Sequence, residues 1–160
     1  MSILLTRYQK TSVAVRLGTT IAAVTLTVAA VVYSFPADAQ SPPSRSSWDG
    51  IYTLEQAARG QAGYSVACLS CHGEQLDGFD AAPGLRGGRF LSSWNGVNLG
   101  DMLERTRITM PLESPGTLSR QEEADVLAYI LSMNGFPAGE GELPRQTAIL
   151  RGISFEAMQP

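Results

Sequence analysis

Two cysteines and one histidine lie close together in the middle of the chain, at Cys68, Cys71 and His72. Thiols form thioethers and imidazole nitrogen binds iron, and the spacing C-x-x-C-H is the haem-attachment pattern. The spacing suits this chemistry because two thioethers must reach carbons along one edge of a porphyrin, after which the next residue brings an imidazole under the iron. We therefore predict one covalent haem c, attached through both cysteines, with His72 as an iron ligand.

Three other interpretations of this motif remain open. A thioredoxin-like redox pair also uses C-x-x-C, but at a helix start that follows a strand, and the residues before Cys68 have no strand pattern. A structural zinc site needs four ligands, and this chain offers two cysteines and a single histidine. A chance match is the third interpretation, which an export signal on the same chain disfavours.

The second axial ligand is limited by the composition of the chain. His72 is the only histidine, and residues 40–160 contain no lysine, so methionine is the remaining strong ligand and would favour a high reduction potential. Met110 is the preferred candidate, because Pro111 pushes the residue before it into extended geometry and turn-forming residues follow. An open site or another methionine is the alternative. The other methionines of residues 40–160, expected in packing or in the tail, are Met102, Met133 and Met158.

Residues 1–39 have the parts of a secretory signal peptide. A basic region is followed by the apolar, charge-free residues 17–32, and residues 37–39 (Ala-Asp-Ala) offer a cleavage site that leaves Gln40 as the new N-terminus. The alternative is an uncleaved membrane anchor, since the apolar run approaches the ~20 residues that span a bilayer. We expect export to the periplasm, with membrane attachment only if this segment is retained.

The charge of residues 40–160 limits the class of partner. This part of the chain has nine arginines, no lysine and 14 acidic residues, for a formal net charge of −5. Such an acidic balance argues against nucleic-acid binding and against docking through a ring of lysines. Electrostatic steering would favour a partner with a basic patch.

Helices are predicted at residues 54–67, 99–107 and from 119 to about 134. Capping boxes mark the first and last of these, at Thr53 to Gln56 and at Ser119 to Glu122. Residues 40–49 are predicted to be a flexible linker, residues 73–98 a loop, and residues 137–160 a loosely structured tail, of which 148–155 are a candidate for packing back. Phe90 and Trp94 suit either a haem edge or ordinary aromatic packing.

These motifs together resemble class I cytochrome c over about residues 50–136. The resemblance implies an all-α fold with three main helices wrapped around one haem and connected by long loops. It also implies that the first helix crosses the last, and that the Pro83 carbonyl accepts a hydrogen bond from His72, with Leu85 on the same side of the haem. The residues that carry the resemblance, besides the haem motif, are Gly60, Tyr64, Pro83, Met110-Pro111 and Tyr129.

The segments at residues 52–60 and 134–139 also resemble small bacterial cytochromes associated with periplasmic dehydrogenases, including those that use pyrroloquinoline quinone. The expected function is one-electron transfer rather than catalysis, from a periplasmic dehydrogenase to a terminal oxidase or another cytochrome. Two alternatives remain: a tightly bound cytochrome subunit of a dehydrogenase complex, and a haem sensor or peroxidase with a labile Met110.

Overall fold

The structure, a computed structural model, describes residues 45–160. The predicted signal peptide and the first part of the predicted linker, residues 40–44, lie outside the described residues. Within residues 45–160, helices dominate, as predicted, and two strands of two residues each form one parallel pair. In chain order the elements are β1 Arg45–Ser46, α1 Leu54–Ala67, α2 Leu69–His72, α3 Gly87–Trp94, α4 Leu99–Thr109, α5 Arg120–Met133, α6 Thr147–Leu150 and β2 Ile153–Ser154.

The crossing of α1 over α5 is the main helix contact. A Cβ atom on Gly60 would lie 1.8 Å from the backbone oxygen of Asp125 and 3.0 Å from Cβ of Tyr129, so only glycine allows this approach. One turn further along α1, the Tyr64 ring lies 5.3 Å from the Tyr129 ring. The close approach between the first and last helices, expected from the resemblance, is confirmed.

Helix α5 begins and ends as its sequence predicts. The Ser119 side chain accepts from the backbone N–H of Glu122, and the Glu122 side chain accepts from the backbone N–H of Ser119, which completes the capping box. After the last turn, Gly135 has φ +81° and Phe136 N–H donates to the carbonyl of Leu131. This left-handed glycine satisfies carbonyls at the end of the helix.

The first capping box is only half formed. Thr53 accepts from the backbone N–H of Gln56 at 3.1 Å, but the Gln56 side chain does not return the contact. Its amide is fully buried and instead makes two hydrogen bonds with the backbone of Leu143, at 3.1 and 2.6 Å. The predicted reciprocal cap is therefore wrong, because a buried amide bonds to a distant chain segment instead.

The prediction of a continuous loop at residues 73–98 is wrong, since it contains α3. This helix is led by two glycines and buries one side chain, Phe90. Two glycines at its start disfavour a helix, and its eight residues are fewer than the roughly 11 to 18 over which a helical period is read from a sequence.

The prediction of a loosely structured tail is also wrong, and so is that of a flexible linker at residues 45–49. Strand β1 pairs with β2 in parallel, and Trp48 Nε1–H donates to the Glu156 carbonyl at 2.9 Å. The candidate segment at 148–155 does pack back on the domain. Within residues 137–160, the segment predicted to be a tail, the apolar side chains with at most 2% exposure are Leu143, Leu150, Ile153 and Phe155.

Charged side chains connect α4 to α5. Glu123, whose side chain is 3% exposed, lies 3.6 Å from Arg107 and 3.7 Å from Arg120. Arg120 also contacts Glu104 at 3.0 Å. We call these four residues the α4–α5 ion cluster. None of the helices within residues 45–160 is long and apolar enough to cross a membrane.

Candidate haem site

The C-x-x-C-H motif lies where α1 gives way to α2. Cys68 ends α1, with its N–H donating to Tyr64 at 2.9 Å, and at the same time precedes the first residue of α2. Its own carbonyl accepts from the N–H groups of Cys71 and His72, at 3.2 and 2.9 Å. The motif is thus a single helical turn, which places both thiols and the imidazole on one short, rigid element.

The two cysteines do not form a disulfide with each other. Cys71 is exposed and Cys68 is half-buried, and burial, followed by the neighbouring Cys71, raises the pKa of Cys68 to about 11. A redox-active C-x-x-C pair depends on a thiol whose pKa is lowered. The raised pKa and the helix that precedes the motif both argue against the thioredoxin-like interpretation.

The imidazole of His72 is held by one hydrogen bond. Its Nδ1 lies 2.9 Å from the carbonyl oxygen of Pro83, and the residue as a whole is 7% exposed. Since a carbonyl can only accept, the ring must carry its hydrogen on Nδ1, and Nε2 keeps a free lone pair. In the part of the chain that the structure describes, Nε2 makes no hydrogen bond. The sequence-predicted pair of His72 and Pro83 is therefore brought together, in the form that metal-binding histidines adopt.

The loop that supplies Pro83 is closed on itself. Leu85 N–H donates to the Leu76 carbonyl at 2.7 Å, and Gly78 N–H donates to the His72 carbonyl at 2.9 Å. Leu76 is completely buried, whereas Leu85 is partly buried against the core. A Cβ on Gly84 would lie 2.9 Å from the Asp77 carbonyl, so the two arms of the loop are in close contact.

Two side chains outside the predicted site also hold this region. The Tyr64 hydroxyl donates to the Gly73 carbonyl at 2.7 Å, and Asn134 contacts the backbone at both Leu85 and Gly87. Sequence reasoning assigned Tyr64 only to helix packing and Asn134 only to a helix end. Neither contact leaves a local sequence signal, because each joins side chain to backbone across a turn or a long separation.

Met110 lies at the C-terminal end of α4. Its backbone is extended, at φ −131° and ψ 153°, as the following proline requires, and the Met110–Pro111 peptide is cis. The side chain is partly buried. The other methionines fit their expected structural roles: Met102 is 3% exposed in the core, Met133 packs against the core, and Met158 is 80% exposed.

Uncovered apolar side chains flank the candidate ligands. Among residues 45–160, eight large apolar residues are exposed, and four of them lie within two residues of Cys68 or Met110 in the sequence. An apolar group bound beside Cys68 and Met110 would remove such side chains from water. The residues present therefore fit a haem, whose attachment points and apolar faces they would contact. The four are Val66 (89% exposed), Leu69 (37%), Ile108 (63%) and Leu112 (76%).

Of the two aromatic residues proposed for the haem edge, Phe90 belongs to the core. It is 6% exposed and meets Phe155 edge-to-face at 6.0 Å, so the ordinary packing interpretation is correct for this residue. Trp94 is partly buried, with the Arg105 guanidinium 5.9 Å from its ring centroid.

Comparison with known proteins found a family model and a solved structure that are similar to this chain. Residues 55–130 match the family model described as cytochrome C oxidase, cbb3-type, subunit III. A chain in the solved structure of the sulfane dehydrogenase SoxCD from Paracoccus pantotrophus is 24% identical with a TM-score of 0.40, and the match covers 59% of this chain and 55% of that chain. The comparison with curated proteins gave no match. The family match, together with the helical architecture, confirms the predicted all-α cytochrome c fold.

Proposed function

We propose that this chain, whose residues 55–130 form a c-type cytochrome domain, is an exported one-electron carrier with one covalently bound haem c. Cys68 and Cys71 would hold the haem through two thioethers, and His72 and Met110 would bind its iron. Haem supplies the one-electron redox chemistry when it is bound, so no catalytic acid, base or nucleophile is assigned. The observation that carries the proposal is the 2.9 Å contact between His72 Nδ1 and Pro83 O, which leaves Nε2 as the ligating nitrogen.

Each part of the chain has a distinct role in this proposal. The helical turn from Cys68 to His72 orients three attachment atoms together. The Pro83 carbonyl fixes the ring plane of His72 and increases its basicity through the Nδ1–H. The exposed apolar residues around Cys68 and Met110 would be removed from water by the cofactor, at about 25 cal/mol for each Å² buried.

The assignment of Met110 is supported by position and by the roles of the other methionines. Met102 and Met133 already fill space in or against the core, and Met158 is exposed near the C-terminus. Met110 ends a helix, is extended, and has exposed apolar neighbours on both sides. A thioether there would give the iron a second ligand from the protein, which suits a carrier better than an oxygenase or peroxidase.

We propose a periplasmic dehydrogenase as electron donor and a terminal oxidase or another cytochrome as acceptor. The negative charge of residues 40–160 and their lack of lysine support a partner with a basic docking surface. Measuring the rate of reduction against ionic strength would test this: a rate that falls as salt rises is expected. A rate that rises with salt would contradict the charge argument.

Expression with export and a haem-maturation system tests the site. We expect a haem that stays attached under denaturing conditions, one haem for each chain, and a near-infrared methionine–iron band in the oxidised protein. Met110→Ala should abolish that band, whereas the matched control Met158→Ala should keep it. A band that survives Met110→Ala would contradict the ligand assignment, and a chain without covalent haem would contradict the whole proposal.

The cellular location is tested on the same material. N-terminal sequencing of protein from the periplasmic fraction should begin at Gln40. A start at Met1 or Ser2, with the protein in the membrane fraction, would instead indicate a retained anchor.

A further inference from the structure

We propose that Asn134 is a positioning residue for His72. Its side-chain amide holds the end of the loop that supplies the Pro83 carbonyl, and thereby controls the hydrogen bond on the imidazole and the reduction potential. This inference rests on the proposed function, because it takes His72 as the iron ligand.

The amide of Asn134 uses both of its ends. Its Oδ1 accepts from the backbone N–H of Gly87 at 3.0 Å, and its Nδ2 donates to the Leu85 carbonyl at 2.9 Å. Nδ2 also donates to the Ile130 carbonyl, one turn back in α5, at 2.8 Å. The last contact orients the amide from its own helix, so the loop is attached to α5 through a side chain with little freedom.

Helix α5 provides a rigid base for these contacts. Asn134 is its C-cap residue, and its backbone N–H donates to carbonyls in the last turn of the helix. Leu131, one turn earlier, has no exposed surface. The start of α3, by contrast, has no side-chain cap of its own, and a Cβ on Gly87 or Gly88 would meet nothing within 4 Å. The hydrogen bonds from the Asn134 amide therefore fix the start of α3, which no side chain of its own caps.

Few residues separate the contacts of Asn134 from the Pro83 carbonyl that binds His72. Leu85 is two residues from Pro83, and its N–H donates to Leu76 at 2.7 Å while its carbonyl accepts from Asn134. On the other side of Pro83, Ala82 N–H donates to the Phe79 carbonyl at 2.9 Å. The Pro83 carbonyl is thus held from both sides, and Asn134 is the only side chain from another helix, among the described residues, that bonds to the Leu85 side.

Loss of these contacts should weaken the hydrogen bond between Pro83 and His72. A weaker bond lowers the basicity of the imidazole, and an imidazole that donates less charge stabilises the oxidised state less. The midpoint potential should therefore rise, and the Nδ1–H of His72 should exchange with solvent faster.

Asn134→Ala, Asn134→Asp and Asn95→Ala, made in the exported haem protein, test this. Asn134→Asp keeps an oxygen for Gly87 but removes the donor for Leu85. Asn95→Ala is the matched control, because Asn95 also binds a backbone N–H, that of Ala157 at 2.8 Å, but in the C-terminal segment. Midpoint potentials come from redox titrations, and exchange of the His72 Nδ1–H comes from NMR of the isotope-labelled, reduced protein.

Both Asn134 variants should exchange the Nδ1–H about three- to tenfold faster, the effect of losing one or two hydrogen bonds. In Asn134→Ala, which adds no charge, the redox equilibrium should shift two- to threefold toward the reduced form, roughly 20–30 mV at 59 mV per tenfold for a one-electron couple. Asn95→Ala should match the wild type in both measurements.

Suppose that the wild type carries covalent haem ligated by His72. If neither Asn134 variant then changes the exchange rate or the midpoint potential, this inference is overturned but the proposed function is not. The same shift in Asn95→Ala would also overturn the inference, because the effect would then be general loosening. If Asn134→Ala yields no haem protein, Asn134→Asp decides by the exchange rate of the Nδ1–H alone, because its added carboxylate charge also acts on the potential. A wild type without haem would overturn the proposed function and this inference with it.

Discussion

The two candidate ligands lie in regions that are held very differently. The His72 loop, residues 73–87, is bonded to three other parts of the domain: to α1 through Tyr64, to α5 through Asn134, and to the haem motif through His72 itself. Its central side chain, Leu76, is completely buried. This loop therefore cannot move without breaking contacts to both of the crossing helices.

The Met110 segment, residues 110–118, is held mainly by itself. Among the described residues, its hydrogen bonds run to α4 or stay within the segment, as from Met110 N–H to Thr106 at 2.7 Å and from Ser114 N–H to Pro111 at 2.9 Å. Leu112 is 76% exposed. Regions with few buried contacts open locally at a lower free energy than the domain as a whole.

The comparison indicates that the His72 loop is held more rigidly than the Met110 segment. In the proposed carrier, His72 would stay bound through most fluctuations, and Met110 would be the ligand that leaves first. The sensor or peroxidase alternative would apply if Met110 left the iron often enough for an external ligand to bind there.

The largest effect is expected on the amount of haem protein when His72 and Met110 are substituted one at a time. His72→Ala removes the ligand and the contact to Pro83, so little or no low-spin haem protein should accumulate after export. Met110→Ala should leave most of the covalent haem in place, because the attachment turn and the His72 loop are intact. Haem-stained denaturing gels and absorption spectra measure the covalent haem in both variants. Equal losses of haem in the two variants would contradict the difference between the His72 loop and the Met110 segment.

The next effect concerns the helix crossing to which the His72 loop is attached. Gly60→Ala places a Cβ 1.8 Å from the Asp125 carbonyl, and overpacking of this kind should lower the free energy of unfolding by roughly 3 kcal/mol. Denaturant unfolding of the haem protein measures the change.

Gly63→Ala is the matched control for that variant, on the same helix. Its Cβ would lie 3.3 Å from a methyl group of Val126, a contact that a shift of a few tenths of an ångström relieves, and alanine gains up to about 1 kcal/mol of helix propensity. A loss of stability in Gly63→Ala as large as in Gly60→Ala would contradict the role given to the crossing.

A smaller effect is expected when an external ligand competes with Met110. Imidazole should replace Met110 in the oxidised protein, and its binding rate should level off at high concentration, because opening of the Met110 segment becomes limiting. Stopped-flow spectra measure the rate, and urea below the unfolding transition should change the limiting rate only weakly. A steep dependence on urea would mean that ligand exchange requires unfolding of the whole domain.

The smallest effect concerns the α4–α5 ion cluster, which connects the helix before Met110 to the core. Burial raises the pKa of Glu123, and Arg120 and Arg107 offset this only partly. The folded state therefore holds the proton to higher pH than the unfolded state, so stability falls as the pH rises above the ordinary glutamate value of about 4.3.

Glu123→Gln should remove that fall. We expect the stability of this variant to depend less on pH between acidic and neutral values, measured by thermal unfolding across a pH series. A pH profile identical to that of the wild type would contradict the assignment of this dependence to Glu123.

The parts of the fold that could be predicted are those with local signals. Helix α5 has a capping box at Ser119 and a left-handed glycine at Gly135, and both lie within a few residues of the helix that they delimit. The attachment residues are equally local, since one pentapeptide contains all three. Their prediction needed no knowledge of distant contacts.

The parts that were missed depend on long-range pairing. The C-terminal segment is ordered by contacts such as those of Gln56 with Leu143, 87 residues apart, and of Trp48 with Glu156, 108 residues apart. Its most deeply buried residues are seven, three and two positions apart, so no single period runs through the segment. Asn134 was missed as part of the site for the same reason, since its partners at Leu85 and Gly87 lie 47 to 49 residues away.

The parallel pairing of β1 with β2 has a mechanical consequence. The chain enters β1 at Arg45 and leaves β2 after Ser154, and in a parallel pair these two points lie at opposite ends of the ladder. Tension between the termini of the domain would therefore load the short ladder in shear, so that its hydrogen bonds resist together instead of opening one by one. In single-molecule pulling with the handles attached at residues 45 and 154, extension should meet its first resistance at this pair, before the load reaches the segments that carry His72 and Met110.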